Sequence, residues 1–363
     1  MAVTKVTPDG LSASKIGANL LINGACNVAQ RGTVTGLGGT NGERTAIDMW
    51  LVDTDGSSSE GRFTSSQDST SPTGFGNSLK IDTTTAESGV ASGDLINVQM
   101  RNEAQTLQHL KWGTSSAESI QLSFWFRSPK TGTHCVSLYA QDSNRSMVKE
   151  FTIDSADTFE YQSLTFAGDT GGTAFADDTG AGFFVSFPLV CGSNYQISAD
   201  TWTANNRYAT SNQQNLLDNT SNNIYISGVS MIVGTLASSD DFEHEDYNTT
   251  LRKCQRYLHY HTRASSVDHI FAAGKVNTTT TAEFVMLHPV TMRAAPTLGG
   301  SASDDFGIRH ANTTTTSTNL TNLVSGPNAA CVVATVSSGL TAGQGALLFM
   351  GSDGDYIQWS AEL

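Results

Sequence analysis

A single helix start stands in a chain that otherwise reads as short strands and turns. It lies in Asp241 to Arg263, DFEHEDYNTTLRKCQRYLHYHTR. Asn248 can cap a helix running from Thr249. Acidic residues precede it, and Arg252, Lys253 and Arg256 follow, the charge order a helix dipole favours. Elsewhere helical periodicity is almost absent. Short apolar runs recur between clusters of Gly, Asn, Asp and Ser. The clearest are Leu20 to Ile22, Ser78 to Asp82, Leu95 to Met100, Ser119 to Arg127, His134 to Gln141, Val148 to Ile153, Glu160 to Ala167, Gly182 to Val190 and Ile224 to Val233. Runs this short and this regularly spaced predict an antiparallel sandwich. Asn97 to Leu110 reads either as a helix or as two strand ends flanking a turn.

A lone helix between two β-rich stretches marks a junction, and 363 residues suit two units, one large and one small. After the helix, Tyr257 to His261, Ala282 to Leu287, Ala329 to Val336, Ala346 to Met350 and Tyr356 to Trp359 read as strands. Asp353-Gly354-Asp355 reads as a turn. Before the first apolar run, residues 1–18 read as an arm able to dock on a larger assembly, with Thr7-Pro8-Asp9-Gly10 as a turn.

Composition excludes several classes of function. The net charge of -14 argues against a nucleic-acid surface, which needs Lys and Arg against phosphates, and against a polybasic membrane contact. A neutral ligand such as a glycan fits better. Cys26, Cys135, Cys191, Cys254 and Cys331 are odd in number and contain no Cys-x-x-Cys, so buried free thiols are expected rather than zinc. The first residues carry no apolar core for a signal peptide, and no run approaches a membrane span. Synthesis in a cytoplasm without export is therefore expected.

Several short segments, in order over most of the chain, resemble one family. They are Asn19 to Thr33 (NLLINGACNVAQRGT), Thr45 to Trp50, Leu122 to Ser128, the junction pattern that ends in Cys254-Gln255-Arg256-Tyr257, and Pro289 to Thr297. Together they look like tailed-phage virion appendage proteins, the tail fibres and capsid fibres that carry a jelly roll similar to a carbohydrate-binding module. The resemblance implies an all-β fold: an N-terminal jelly-roll β-sandwich over 19–240, a short connector helix over 241–258, and a smaller C-terminal β-domain over 259–363. It implies a virion protein, made in the host cytoplasm, that adheres to host surface glycans as a homotrimer beside other phage virion proteins. It carries no catalytic residues. A capsid decoration or cement protein without a glycan site is the structural rival, and a polysaccharide depolymerase the enzymatic one.

Strand alternation turns residue types into faces. Leu122, Phe124 and Phe126 point one way, to a core. Ser123, Trp125 and Arg127 point the other. Val136, Leu138 and Ala140 likewise oppose Ser137 and Tyr139. An aromatic ring on a polar face can stack on a sugar, with Arg and Ser hydrogen-bonding its hydroxyls. The candidate glycan-binding residues are therefore Trp125, Arg127 and Tyr139, with Trp202 and Tyr208 from the polar loop around Asn205 and Asn206. His259 and His261 project from one strand face, and three such pairs around a trimer axis would offer six nitrogens to a transition metal. The resemblance also allows a Ca2+ ion in the jelly roll. No Gly-x-Ser-x-Gly elbow or P-loop appears. Asp177-Asp178, Asp240-Asp241 and Asp304-Asp305 are adjacent pairs, which point apart in a strand and make poor glycosidase dyads.

Overall fold

The structure, a computed structural model, describes residues 19–55, 60–234, 242–263 and 269–363. The arm expected over 1–18 and the pair Asp240-Asp241 lie outside the described residues. The chain divides into two compact units, 1–250 (joined by Leu363) and 251–362. Both are built almost wholly of antiparallel strands, as expected for an all-β chain.

The first unit contains β1 (Val34–Leu37), β2 (Glu43–Arg44), β3 (Trp50–Asp55), β4 (Arg62–Asp68), β5 (Ser78–Thr85), β6 (Leu95–Glu103), β7 (Ile120–Arg127), β8 (Gly132–Ala140), β9 (Arg145–Ile153), β10 (Glu160–Phe166), β11 (Ala181–Cys191), β12 (Thr203–Ala204) and β13 (Asn223–Val233). They form a six-stranded sheet, β1-β4-β5-β13-β7-β10, and a seven-stranded sheet, β12-β9-β8-β11-β6-β3-β2. The chain crosses between sheets repeatedly, as from β6 to β7 and from β7 to β8. Such shuttling builds a jelly-roll sandwich rather than a meander. The inward positions of both sheets make one core. Phe124 meets Phe151 and Phe187 edge-on, with ring centroids 5.1 and 5.0 Å apart. Phe124 is fully buried. Phe124→Ala is expected to cost about 3–5 kcal/mol by losing buried surface and leaving a cavity, read as a lower urea midpoint at unchanged slope.

The open segment resolves as a strand, β6, running into two 3₁₀ turns, Ala104–Thr106 and Gln108–Leu110. Leu20 to Ile22 is not the strand its apolar run predicts but part of a turn. The Asn19 side chain fixes it there. Its carbonyl accepts from the N–H groups of Leu21 and Met231, and its amide donates to the Val229 carbonyl. Leu21 is buried by that anchorage, Leu20 and Ile22 are half-buried, and the run needs no ladder of its own.

The one helix among the described residues is α1 (Tyr247–Gln255). Its cap is Asp246, not Asn248. The Asp246 carboxylate accepts from the Asn248 and Thr249 N–H groups at 3.0 and 3.2 Å, which draws the helix start earlier than Asn248 would allow.

The second unit contains β14 (Leu258–Thr262), β15 (His269–Val276), β16 (Thr281–Leu287), β17 (Thr297–Gly300), β18 (Phe306–His310), β19 (Thr313–Thr316), β20 (Asn319–Ser325), β21 (Ala329–Thr335), β22 (Gly345–Met350) and β23 (Tyr356–Ser360). A three-stranded sheet, β14-β23-β17, accompanies a seven-stranded one, β19-β18-β22-β15-β16-β21-β20. Their core holds Trp359, Phe284, Phe306, Ile308 and Ile357, all essentially buried.

The five cysteines are free. Four are buried, and burial pushes the Cys26 and Cys191 thiols up to about 12, so neither is a thiolate at neutral pH.

Candidate functional site

The strand faces read from alternation in β7 are those of the structure. Leu122, Phe124 and Phe126 are core, while Trp125 and Arg127 lie on the outward side of the six-stranded sheet. Strand register then assembles an aromatic face around them. Trp125 pairs with Tyr161 of β10 on one side and with Ser227 of β13 on the other. The Trp125 and Tyr161 rings lie 5.5 Å apart. Arg127 pairs with Tyr225, and its guanidinium lies 4.8 Å over that ring. Phe159 stands edge-on to Tyr225 at 6.1 Å.

A β-bulge in β13 brings a further ring into the group. The register slips between Ser227 and Ser230, and Gly228 there has φ +62°. A Cβ at Gly228 would meet Phe75 Cζ at 2.7 Å and Trp125 Cδ1 at 3.0 Å. Glycine thus serves twice: it takes the left-handed conformation and lets two rings close over the backbone. Phe75 in turn contacts Phe242 and His244, each at 4.9 Å.

Trp125, Tyr161, Phe75 and Phe159 are half-buried. Each is packed in part by its neighbours and keeps part of its surface open to solvent. Polar groups flank them. Arg127 is held in place by its own contacts: Nε donates to the Asp157 carbonyl at 2.8 Å, and Nη2 lies 3.7 Å from the Asp157 carboxylate. Lys80 and Asp82 occupy outward positions of β5, two strands away. Rings fixed by packing lose little freedom when a ligand stacks on them, and positioned polar groups beside them supply direction.

The other nominated residues lie elsewhere. Tyr139 is on the outward face of the seven-stranded sheet, edge-on to Phe184 at 5.3 Å, and its hydroxyl donates to Asn144. Tyr208 packs on that same face but is buried. Its hydroxyl donates to Asp53 at 2.5 Å, and burial and the nearby carboxylate push its pKa up. Arg101, close by, is pulled below its ordinary value, chiefly by burial, although Asp53 opposes this. Trp202 packs edge-on to the core Trp112 at 4.9 Å, and its indole N–H donates to the Ala167 carbonyl at 2.8 Å. The five nominated residues therefore fall in three places. Trp125 and Arg127 share one, Tyr139 and Tyr208 the outward face of the other sheet, and Trp202 stands apart from both. Phe75, Phe159, Tyr161 and Tyr225 were not nominated. Tyr161 and Tyr225 have strand positions readable by alternation, whereas Phe75 and Phe159 lie in the loops before β5 and β10; the adjacency of all four to Trp125 and Arg127 follows from long-range pairing that no local pattern shows.

Two polar clefts border the segment 191–215, with volumes of about 300 and 370 Å³. Gln196 lines both. Gln213, Gln214 and Asn215 line the first, and Glu150 and Asn212 the second. They offer amides and hydroxyls but no aromatic ring.

His259 and His261 do share a face of β14, with rings 4.5 Å apart. A third imidazole joins them, because His288 Nδ1 lies 3.0 Å from His259 Nδ1. Trp359 stacks on His259 at 5.4 Å. A metal shared at a threefold axis would need these rings at a subunit surface, whereas His259 is 5% exposed. Among the described residues no group of three or more His, Cys, Asp or Glu is arranged to hold a metal ion.

No family model matches the sequence, and no curated protein does. Among solved structures, the chain is similar to the enzymatically active domain of tailspike protein 4 of bacteriophage CBA120 at 14% identity and a TM-score of 0.29. That match covers 60% of this chain and 21% of that one, so this chain spans about a fifth of the tailspike domain's length. It is similar to a putative sugar binding protein of Bacteroides thetaiotaomicron at 13% identity and a TM-score of 0.32, covering 60% of this chain and all of that one. A family 11 carbohydrate-binding module of Clostridium thermocellum gives 12% identity and a TM-score of 0.28 over 57% of this chain and 98% of that one. Similarity at this level carries no argument about this chain, whose fold rests on its own strand pairing.

Proposed function

We propose that this protein is a non-catalytic appendage of a bacteriophage particle, a tail or capsid fibre component, which adheres to host surface glycans as a homotrimer. The observation that carries the glycan reading is the aromatic face of the six-stranded sheet. There Trp125, Tyr161 and Phe75 present half-open rings beside Arg127. Sugars offer apolar C–H faces and hydroxyl rims, which such a surface matches. The net charge of -14 favours a neutral polysaccharide over an acidic one. Weak single sites gain avidity when three copies meet a repeating polymer. The virion role rests on the family resemblance of the sequence. The role predicts attachment of the chain to a particle, which purified virions probed with antibody would reveal.

Binding to host surface polysaccharide, measured by calorimetry, is expected for the wild type. Trp125→Ala is expected to weaken it at least tenfold, or about 1.4 kcal/mol per site, with the melting temperature little changed. Unaltered affinity in Trp125→Ala would displace the site from this face. Release of reducing sugar from the same polysaccharide would replace adhesion by depolymerisation. Particle attachment without any glycan binding would leave a cement protein.

A further inference from the structure

The seven-stranded sheet of the second unit has one face in the core and the other in solvent, and the solvent face carries an apolar patch. Strand register lines up one row across it: Val324, Cys331, Val285, Ala273, Leu347 and Arg309, on six successive strands from β20 to β18. Val285 is 59% exposed and Val324 63%. Leu287, Leu323 and Ile270 extend the patch at 75, 56 and 43%. Four of the five, Ile270 excepted, are more than half exposed. Scattered exposed apolar residues need no explanation, but a contiguous group on one sheet face marks an interaction surface.

We infer that this face is where copies of the chain associate, its occupant being the same face of a second copy. The inference rests on the homo-oligomeric reading above and names its surface. Two observations select a second copy. The first is charge. The chain carries -14 overall, so copies repel one another. The charged residues at outward positions of these strands are Lys275, Glu283 and Arg309, which sum to +1, and Lys275 and Glu283 face each other across the strands at 3.8 Å. This face therefore carries no part of the excess negative charge that would oppose the contact. The second is area. Seven strands at about 4.8 Å and about six residues at about 3.3 Å give a face of roughly 600 Å², or about 1,200 Å² for a pair, the lower end of specific interfaces. Two or three copies can bring this face to a common axis.

The test is molar mass by light scattering on the purified full chain, over a concentration series, for the wild type, Val285→Glu and Leu287→Lys. The wild type is expected to be a dimer or trimer. Each variant is expected to raise the dissociation constant at least tenfold without losing its strand signal in circular dichroism. Native alkylation gives a second readout. Cys331 is the half-exposed thiol, the other four being buried. It is expected to be slowed by association in the wild type and to react freely in Val285→Glu. A monomeric wild type would overturn the inference, as would an oligomer unaffected by both variants with Cys331 fully reactive. Glycan binding measured per protomer separates the two claims: its survival in a dissociated variant leaves the adhesive face intact whatever this face does.

Discussion

Acidification is expected to destabilise the second unit through the buried His259 of its histidine cluster, by about 4–5 kcal/mol between pH 6.5 and 3. His259 is pulled from 6.5 down to about 3, first by burial and then by the neighbouring His261 and His288. His288 is also lowered, chiefly by burial. The His259 imidazole is therefore neutral in the folded unit, Nδ1 to Nδ1 with His288 and stacked on Trp359. Between the two pKa values the unfolded chain binds a proton that the folded chain does not. Stability is thus full above about 6.5 and falls as pH drops toward 3. Urea unfolding followed at a 5-fluorotryptophan label on Trp359 checks this. His259→Phe lowers the baseline, since His288 loses its partner, but flattens the slope over this range. An unchanged slope in the variant would place the acid sensitivity on carboxylates instead.

Gly274→Ala is expected to cost more than about 3 kcal/mol, although it adds one methyl group. Gly274 faces the core from β15, opposite Phe284 of β16. An added Cβ would sit 1.8 Å from the Glu283 carbonyl oxygen, 2.8 Å from its carbon and 2.9 Å from Phe284 Cδ1. The first two obstacles are backbone and cannot rotate away. The variant must push β15 and β16 apart in the middle of the seven-stranded sheet, which also carries the apolar outward row. A melting temperature within a degree or two of wild type would show that β15 and β16 are not paired in this register.

What the sequence made legible was local. The alternation in Leu122 to Arg127 predicts the buried and outward sets of β7, and the lone helix start predicts α1. The cap lies two residues before the Asn248 that the sequence suggests, because Asp246 and Asn248 are both competent caps and only the backbone path decides which reaches the free N–H groups. Strands β19 and β20 leave no mark in the sequence, because Thr313 to Thr316 and Asn319 to Ser325 have little apolar alternation. The apolar run at Leu20 departs from its pattern in the opposite sense, since a side-chain anchor rather than a ladder holds it and buries Leu21. At the site, alternation correctly put Trp125 and Arg127 outward. It could not place Tyr161 and Tyr225 beside them, since these come from strands about 35 and 100 residues later whose order in the sheet is set by long-range pairing. His288 joins His259 for the same reason.

Fluorine NMR of the protein labelled with 5-fluorotryptophan tests the adhesive face most directly. Trp50, Trp112 and Trp359 are buried, while Trp125 and Trp202 are half-buried. On titration with host surface polysaccharide the resonance assigned to Trp125, by its loss in Trp125→Phe, is expected to shift and saturate while the three buried ones stay fixed. A saturating shift at Trp202 with Trp125 unmoved, or no shift at any tryptophan despite binding, would contradict a glycan site on the six-stranded sheet.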